Sequence, residues 1–513
     1  MPNRVADFLK KNWILIFILV VATVLRFYKL GTLPPGLHPD EAANGLDVIG
    51  MIDQGKFSVI FDTNGPREGL FLYLQGFFVW LGKFFSIESL HYTSLALRIA
   101  PAIIGVVTVF GIYKLAKEFF NKNVALFASA ALAVSSWHIQ FSRNGFRAIM
   151  TPLILVFLFY FFIRAYRNGK LKDYIWSGVF LALGFYTYLS FRMIPLVFLA
   201  LIIYILMIKK KFFSANVKNL AYFIGVFFIC MIPMIFHFIN VPADILGRAS
   251  TSIFGQEQNP FFIFGDNIVK TAQMFNFVGD ANYRHNVASL PMLEPIIGVL
   301  FWVGLILALF KIKKIEYFIL IVSLAVLSLP ELLTGEGIPH ALRLVGIIPV
   351  VFILSGLGFE WFIALLKKVG NVKFKFFEGI IATLILCLSL LTAAHKYFVI
   401  LPNSTDGREA YAEDMVTMAE RIKVLPQNQE VILIAGEYGT KTVKYLTHGV
   451  QRSIKRCELS DIDKINLNSQ SAIFVQKDWI EESLSSFGDR NLNLELTPVF
   501  SDLDGRVLFY EKI

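Results

Sequence analysis

Long apolar blocks that contain no charged residue recur along most of this chain. Residues 13–24, 149–163 and 194–208 are three of them. Such blocks approach the roughly 20 apolar residues that cross a bilayer as a helix. Of the 513 residues, 56% are hydrophobic and only 17% are charged, whereas about a quarter of the residues in a soluble domain are charged. The sequence therefore predicts a polytopic α-helical membrane protein and excludes a soluble enzyme, a fibrous protein and a disordered chain.

The basic residues lie mainly in six short polar gaps between the apolar blocks. These gaps hold 21 lysines and arginines against four acids, although the net charge of the whole chain is only +10. Because short basic loops mark the cytoplasmic side of a membrane, two spans must separate successive gaps. The charge then reflects membrane orientation, and nucleic acid is not an expected partner. Eleven spans are predicted, near residues 13–30, 95–114, 123–140, 148–164, 174–190, 194–208, 219–239, 294–310, 317–333, 344–366 and 376–398.

This arrangement places the N-terminus in the cytoplasm and the C-terminus outside, in a plasma (inner) membrane. One further apolar stretch, residues 69–85, would reverse the orientation of every later basic gap if it crossed the membrane. We therefore expect it to form an amphipathic helix at the outer surface.

Two domains are predicted. Residues 1–400 form the transmembrane domain, with long outer loops at 31–94 and 240–293. Residues 402–513 mix charged and apolar residues like a small α/β domain, which we expect to be an extracytoplasmic accessory domain. Its helices are predicted near 407–424, 439–447 and 478–486, and its strands near 430–435, 471–476, 494–500 and 506–511.

The first outer loop carries two adjacent carboxylates, Asp40 and Glu41, at the start of a helical stretch. One interpretation is structural, because aspartate is a favoured N-cap and carboxylates suit a helix N-terminus. The other is catalytic, because a carboxylate at the membrane surface can act as a general base.

Arginine replaces lysine on the predicted outer side. The inner gaps contain 18 lysines and three arginines, whereas nine arginines lie in the outer loops and near the outer ends of the spans. Arginine grips phosphate through two parallel bonds, whereas lysine is a point charge. We expect several of these arginines to bind a phosphate at the outer leaflet; alternatively, single ones reach lipid headgroups or pair with Asp47, Asp53 or Asp62. The nine are Arg26, Arg67, Arg98, Arg143, Arg147, Arg192, Arg248, Arg284 and Arg343.

Two further outer segments carry polar side chains. GDANYRHN (279–286) lies in the loop 240–293, and GEGIPHALR (335–343) contains His340 and Arg343. The longer loop is either a lid that orders on substrate binding or a packed connection. No His-x-x-x-His or similar ligand pair is present, so no metal site is predicted.

Several of these motifs resemble bacterial GT-C glycosyltransferases of the protein O-mannosyltransferase and aminoarabinose transferase group. The resemblance rests on the Asp-Glu pair in its loop and on three longer segments, NGPREGLFLYL (64–74), LRIAPAIIGVVTVFGIYKLAKEFF (97–120) and SSWHIQFSRNGFRA (135–148). GDANYRHN, followed by PMLEPIIGVLFWVG, also resembles a bacterial branch of the group. The resemblance is good over about residues 20–200, patchier through 345, and absent from the tail.

The resemblance implies an inverting enzyme that moves a sugar from a polyprenyl-phosphate carrier to an acceptor hydroxyl at the outer membrane face. In that family the first-loop aspartate activates the acceptor, which corresponds to Asp40, and Glu41 would orient the acceptor or the base. Arg67 is the nearest match to a basic residue that binds the donor phosphate.

The family's aspartate before proline at the fourth span is replaced here by Thr151-Pro152. The related oligosaccharyltransferases hold a metal partly through Asp-x-Asp in the second outer loop. That loop has no acid here, so a reaction without metal or other cofactor is expected.

The chemistry is consistent with this expectation, because a single displacement inverts the sugar and needs one base, and arginines can stabilise the departing phosphate. The alternatives are a polyprenyl-linked polysaccharide polymerase or ligase, or a lipid-linked sugar transporter or flippase. The expected partners are the polyprenyl-phosphate sugar, an acceptor lipid, glycan or protein, and membrane lipids. The predicted site comprises catalytic Asp40 and Glu41, donor-phosphate ligands Arg67, Arg143, Arg147 and Arg284, and further substrate-binding candidates Arg192, His285, His340 and Arg343.

Overall fold

The computed structural model describes residues 2–246, 252–256, 259–369, 375–427, 429–450, 452–464, 471–489 and 495–513. The chain divides into two compact units. Unit 1 comprises Met1–Tyr28, Ser58–Phe71 and Ile99–Val399, and unit 2 comprises Lys29–Phe57, Leu72–Arg98 and Ile400–Ile513.

The protein is mostly helical. The first helices are α1 (Pro2–Phe27), α2 (Pro39–Gln54), α3 (Leu70–Phe84), α4 (Ser94–Phe119), α5 (Lys122–Val134), α6 (Ser136–Arg143), α7 (Met150–Asn168), α8 (Leu171–Gly184), α9 (Ile194–Ile208), α10 (Phe212–Ala215), α11 (Val217–Asn240) and α12 (Ala243–Leu246). The later helices are α13 (Ile253–Gln256), α14 (Pro260–Asn276), α15 (Pro295–Phe310), α16 (Ile315–Leu332), α17 (Ile348–Val369), α18 (Lys375–Ala394), α19 (Leu401–Asn403), α20 (Thr405–Ala410), α21 (Glu413–Val424), α22 (Glu437–Leu446) and α23 (Ile480–Asp489). The strands are β1 (Ile60–Phe61), β2 (Arg67–Glu68), β3 (Val431–Ile434), β4 (Ile454–Cys457), β5 (Ala472–Gln476), β6 (Thr497–Phe500) and β7 (Val507–Lys512).

Seven helical segments within the described residues are long and apolar enough to cross a membrane. An eighth results if α5 and α6, which are bent by 58°, form one span. The seven are Ser94–Phe119, Arg147–Asn168, Leu189–Ile208, Val217–Asn240, Ile315–Leu332, Val345–Lys368 and Phe377–Asn403. The predicted class, a multi-pass α-helical membrane protein, is confirmed. The predicted number of eleven spans is not confirmed, because α1, α8 and α15 are not among these segments.

The interior of unit 1 is formed by its most buried segments. Val345–Lys368 is 78% buried and Arg147–Asn168 is 72% buried, against 11% for Val217–Asn240. Glycine allows the closest approach, between α15 and α17. A Cβ on Gly304 would lie 1.8 Å from the Leu354 carbonyl oxygen, and a Cβ on Gly358 would lie 2.0 Å from that of Leu300. Small residues that let two backbones meet are typical of helix packing in membranes.

The span predicted near 123–140 is interrupted at Ser135, where α5 ends and α6 begins. The Arg26 guanidinium of α1 donates hydrogen bonds to the carbonyls of Leu132 (3.3 Å) and Ala133 (3.0 Å). It also contacts Nδ1 of His138 at 2.7 Å. The last carbonyls of a helix need partners from outside the helix, and Arg26 supplies them where the chain bends.

Helix α3 corresponds to the stretch predicted to lie on the membrane surface. Its 15 residues extend over about 22 Å at 1.5 Å per residue, which is less than the roughly 30 Å of a hydrocarbon core. Phe77, Trp80 and Phe84 are exposed and stack along one side, with centroids 6.3 Å and 5.2 Å apart. Exposed aromatic rings suit a membrane–water interface. The location of α3 at the outer surface of the membrane stays a prediction.

The C-terminal part of unit 2 contains a mixed five-stranded sheet in the order β4-β3-β5-β7-β6. Strand β3 pairs in parallel with β4 and β5, and β7 pairs antiparallel with β5 and β6. The predicted α/β class of the tail is confirmed. Strand β4 was not predicted, because its sequence, IKRC, contains two charged residues and resembles a loop. The helix predicted over 407–424 is divided between α20 and α21, since Ala412 adopts a left-handed conformation with φ of 53°. The start of the strand predicted over 494–500 lies outside the described residues.

Within unit 2 the first loop and the tail pack together through α2 and α22. The buried ring of Tyr445 lies directly against Gly45, where an added Cβ would be 2.4 Å from a ring carbon. The Tyr445 hydroxyl donates a hydrogen bond to the Thr93 carbonyl at 3.2 Å, and Thr442 donates one to the Leu37 carbonyl at 2.9 Å. Helix α22 therefore has a fixed position on the segment that begins α2.

Candidate active site

Asp40 lies in the first turn of α2, but it does not cap the helix. His38 is the N-cap, and its Nδ1 accepts the backbone N–H of Asp40 at 3.0 Å. The interpretation of Asp40 as the helix cap is therefore wrong, because an imidazole occupies that role. The Asp40 carboxylate accepts a hydrogen bond from the Tyr438 hydroxyl at 2.7 Å, and its side chain remains 29% exposed. Asp40 is thus accessible to a substrate hydroxyl.

Glu41, the neighbouring carboxylate, points into the interior of unit 2. Its two oxygens accept hydrogen bonds from Nε and Nη2 of Arg98 at 2.9 Å and 3.1 Å, and both side chains have no exposed surface. Arg98 also donates to the carbonyls of Pro34 (3.0 Å) and Gly36 (2.8 Å). This bidentate pair ties the first loop to α4 and accounts for Glu41 as a structural residue. The catalytic role given to Glu41 from sequence stays a prediction.

In unit 1 a buried carboxylate brings two of the predicted arginines together. Glu68, in β2, accepts hydrogen bonds from Nε of Arg147 at 2.9 Å and from Nη2 of Arg192 at 3.2 Å. Arg67 precedes Glu68 in the same strand and is itself buried. Two guanidinium groups thus share one negative charge, and the local excess of positive charge suits an anion.

Arg147 has the geometry expected of a phosphate ligand. Its Nε is fixed by Glu68, its guanidinium lies 5.3 Å from the centroid of the Tyr188 ring, and its side chain is 20% exposed. Its two terminal nitrogens make no hydrogen bond to any residue that the structure describes. It also precedes α7, and the N-terminus of a helix favours negative charge. Arg192, by contrast, uses Nη1 on the carbonyls of Asp244 (2.8 Å) and Ile245 (2.7 Å).

Arg143 is fully buried and bonded to the end of α1. It donates hydrogen bonds to the carbonyls of Leu25 (2.9 Å), Arg26 (2.9 Å) and Tyr28 (2.7 Å). Its guanidinium also lies 5.2 Å from the centroid of the Tyr397 ring. These contacts account for Arg143 as a C-terminal cap of a helix. Its assignment to the donor phosphate stays a prediction that this geometry does not support.

The two predicted histidines meet at Asp280. His285 Nδ1 lies 3.0 Å from Oδ2 of Asp280, and the His285 and His340 ring centroids are 4.6 Å apart. Burial is the largest influence on the pKa of Asp280 and raises it, but the hydrogen bond from His285, the charges of His285 and His340 and the backbone N–H of Asn282 together outweigh it, so the pKa lies below its ordinary value. Burial, together with the charges of His285 and Arg343, lowers the pKa of His340 to about 3, so this imidazole is neutral at pH 7.

Asp280, His285 and His340 form a group of potential metal ligands, with ligand atoms within 4.8 Å of one another. Zinc accepts such a set of two imidazoles and one carboxylate. However, Asp280 also accepts the backbone N–H groups of Asn282 and Ala341, each at 2.7 Å. The carboxylate therefore has protein donors on both loops, and the expectation of a reaction without a metal stays a prediction. The sequence predicted no metal site here, because no close ligand pair is present and Asp280 and His340 lie 60 residues apart.

The two remaining arginines bind local partners. Nε of Arg284 donates to the side-chain oxygen of Asn282 at 3.1 Å. Arg343 donates to the Glu336 carbonyl at 2.7 Å and lies 3.6 Å from Glu331. Arg248, one of the nine outer arginines, lies outside the described residues. Tyr438, which bonds to Asp40, was missed in the sequence. Arg98 was named only among the nine outer arginines, and its role in holding Glu41 was not predicted.

Comparison with known proteins identifies the fold. Residues 77–237 match the family model described as dolichyl-phosphate-mannose-protein mannosyltransferase. The structure of ArnT from Cupriavidus metallidurans bound to undecaprenyl phosphate matches with a TM-score of 0.57 and 14% identity, over 98% of each chain. The chain has the GT-C fold. The resemblance seen in the sequence motifs is thereby confirmed.

The same fold matches a second group of enzymes. The Archaeoglobus fulgidus oligosaccharyltransferase tethered with an acceptor peptide matches with a TM-score of 0.52 and 14% identity, over 87% of this chain and 64% of that one. The structure of the archaeal oligosaccharyltransferase AglB from Archaeoglobus fulgidus with an inhibitory peptide and a dolichol-phosphate matches with a TM-score of 0.52 and 14% identity, over 95% of this chain and 69% of that one. A comparison of the sequence with curated proteins gives no match.

Proposed function

We propose that this GT-C protein is an inverting glycosyltransferase that moves a sugar from a polyprenyl-phosphate carrier to an acceptor hydroxyl at the outer face of the membrane. The observation that carries the proposal is the shared fold over 98% of this chain and of ArnT bound to undecaprenyl phosphate. The archaeal structure that contains a dolichol-phosphate adds support for a lipid phosphate as the donor.

In the proposed reaction Asp40 acts as the general base. It accepts the proton of the acceptor hydroxyl while that oxygen attacks the anomeric carbon of the donor sugar. The bond between the anomeric carbon and the phosphate oxygen breaks, and the polyprenyl phosphate leaves with the electron pair. One displacement from the opposite face inverts the anomeric centre. The accessible Asp40 carboxylate, which is not used as a helix cap, supports this role.

Arg147 binds the donor phosphate in this proposal. Its fixed Nε and its uncommitted terminal nitrogens present a fork that matches two phosphate oxygens. The negative charge on the leaving phosphate grows as the sugar–oxygen bond breaks, and a guanidinium held in place by Glu68 stabilises that charge without reorganising. Arg67 and Arg192, near Glu68, add positive charge, and Arg284 remains a proposed ligand. We propose no metal or cofactor for the reaction.

The experiment compares purified variants with a polyprenyl-phosphate-linked sugar as donor, and measures donor binding, melting temperature and release of polyprenyl phosphate. Mass spectrometry of envelope lipids and glycans from cells with and without the protein first identifies the sugar and the acceptor. Asp40→Asn keeps the shape of the side chain, so we expect normal folding and donor binding, with turnover about 10²–10⁴-fold lower. Asp502→Asn, at an exposed position in the same unit, is the matched control.

Arg147→Lys tests the phosphate assignment, because lysine keeps the charge but loses the fork. We expect weaker donor binding and lower turnover, while Arg167→Lys, an ion-paired arginine of unit 1, should behave like the unmodified protein. Full turnover in Asp40→Asn would remove Asp40 as the base. Movement of the intact lipid-linked sugar without release of polyprenyl phosphate would instead establish a transporter. Products that contain repeated sugar units would establish a polymerase.

A further inference from the structure

The residue that contacts the Asp40 carboxylate comes from the far end of the chain. The hydroxyl of Tyr438, in the first turn of α22, donates to Oδ1 of Asp40 at 2.7 Å. The Tyr438 ring lies edge-on to the His38 ring, with centroids 6.0 Å apart and an interplanar angle of 73°. Thus two aromatic side chains lie beside this one carboxylate, His38 from its own loop and Tyr438 from the C-terminal domain.

One face of α22 holds Tyr438 in this position. Residues 438, 442 and 445 are spaced i, i+4 and i+7, which places them in a row along one side of a helix. Thr442 bonds to the Leu37 carbonyl at 2.9 Å, and the buried Tyr445 bonds to the Thr93 carbonyl at 3.2 Å. Thr442 and Tyr445 therefore fix α22 on the loop 31–94, and Tyr438, the third residue of the row, reaches Asp40 in the same loop. A tyrosine placed by such a helix has few alternative positions.

We propose that Tyr438 is a positioning residue for Asp40, so that the C-terminal domain contributes directly to the reaction. This inference rests on the proposed function, in which Asp40 is the base. The hydrogen bond to Oδ1 fixes the plane of the carboxylate that accepts the proton of the acceptor hydroxyl. A positioned base is effective because proton transfer requires the donor and acceptor atoms to be within hydrogen-bond reach.

The hydroxyl of Tyr438 also favours the ionised form of Asp40, since a hydrogen bond to a carboxylate stabilises the charge. Other groups that face Asp40 must be considered in any test of pH dependence. Nδ1 of His38 lies 3.7 Å from Oδ2 of Asp40, and Nζ of Lys441 lies 5.5 Å from the centroid of the Tyr438 ring. Glu41 is the next residue, but its charge is compensated by Arg98. A change at Tyr438 alone leaves all four groups in place.

The test is the full-length variant Tyr438→Phe, which removes one hydroxyl and keeps the ring. We expect kcat to fall about 10–100-fold, the value of a lost hydrogen bond to a charged group. The KM for the donor and the melting temperature should stay unchanged. The acid limb of the pH–rate profile should move to higher pH, because the ionised carboxylate has lost a donor. Tyr510→Phe, in strand β7 of the same unit, is the control and should match the unmodified protein.

Three results would overturn the inference. If Tyr438→Phe keeps full kcat and an unchanged pH profile while Asp40→Asn is inactive, the positioning role fails and the proposed function stands. If kcat falls together with the melting temperature and the acid limb does not move, Tyr438 is only a packing residue. If Asp40→Asn itself is fully active, the proposed function fails, and the inference about Tyr438 fails with it.

Discussion

Glu41→Gln separates stability from catalysis at the first-loop carboxylates. Glu41 and Arg98 have no exposed surface and form two hydrogen bonds, at 2.9 Å and 3.1 Å. Glutamine keeps the shape of the side chain but removes its negative charge. The Arg98 guanidinium then remains buried, and the carbonyls of Pro34 and Gly36 still accept hydrogen bonds from it. A buried charge that loses its ion-pair partner is one of the causes of a large loss in stability.

Removing one partner of a buried ion pair costs about 3–5 kcal/mol in free energy of unfolding. We expect the lower end, about 3 kcal/mol, because glutamine still offers one oxygen to Arg98. For domains of roughly 150–250 residues, each kcal/mol corresponds to about 2–4 °C in melting temperature, so the expected decrease is about 6–12 °C. Glu88→Gln, at an exposed position of the same unit, should change the melting temperature by less than about 2 °C.

The assay is thermal unfolding of both variants in one detergent, followed by transfer measured well below the lower melting temperature. A structural role predicts a lower melting temperature with specific activity close to that of the unmodified protein. The opposite pattern, an unchanged melting temperature with transfer lost, would refute this reasoning and restore the catalytic role that the sequence predicted for Glu41.

Three further predictions concern orientation, metal and capping. Single cysteines at positions 62 and 118 should label from opposite sides of the membrane, since α3 is expected not to span; labelling from the same side would invert the predicted orientation. EDTA should leave transfer unchanged, and loss of transfer that Zn²⁺ restores would instead assign a metal to Asp280, His285 and His340. Arg143→Lys should lose at least one of the three hydrogen bonds to the end of α1, which costs about 1–3 kcal/mol; a normal melting temperature with weaker donor binding would contradict the capping role.

The sequence was sufficient where local patterns decide the outcome. Apolar blocks marked the helices of unit 1, and short apolar runs marked strands β3, β5 and β7. The Asp-Glu pair pointed to a carboxylate that is indeed accessible at Asp40. Contacts between residues far apart in the sequence could not be predicted, because they depend on how the helices and strands pack. Arg98 lies 57 residues from Glu41, and Tyr438 lies 398 residues from Asp40.

The outer arginines show why composition alone could not rank the site residues. A guanidinium has five N–H donors. These donors can bind main-chain carbonyls at helix ends as well as phosphate oxygens. Arg26 and Arg143 donate hydrogen bonds to helix-end carbonyls. Arg98 donates hydrogen bonds to Glu41 and to two loop carbonyls. In Arg147 only Nε donates a hydrogen bond to a described residue, and the side chain is 20% exposed. The distinction lies in which nitrogen atoms are already bonded, and only the folded chain determines that. Enrichment in arginine therefore named more candidates than the site needs, whereas the terminal nitrogens of Arg147, which bond to no described residue, single it out as the residue on which donor binding should depend most.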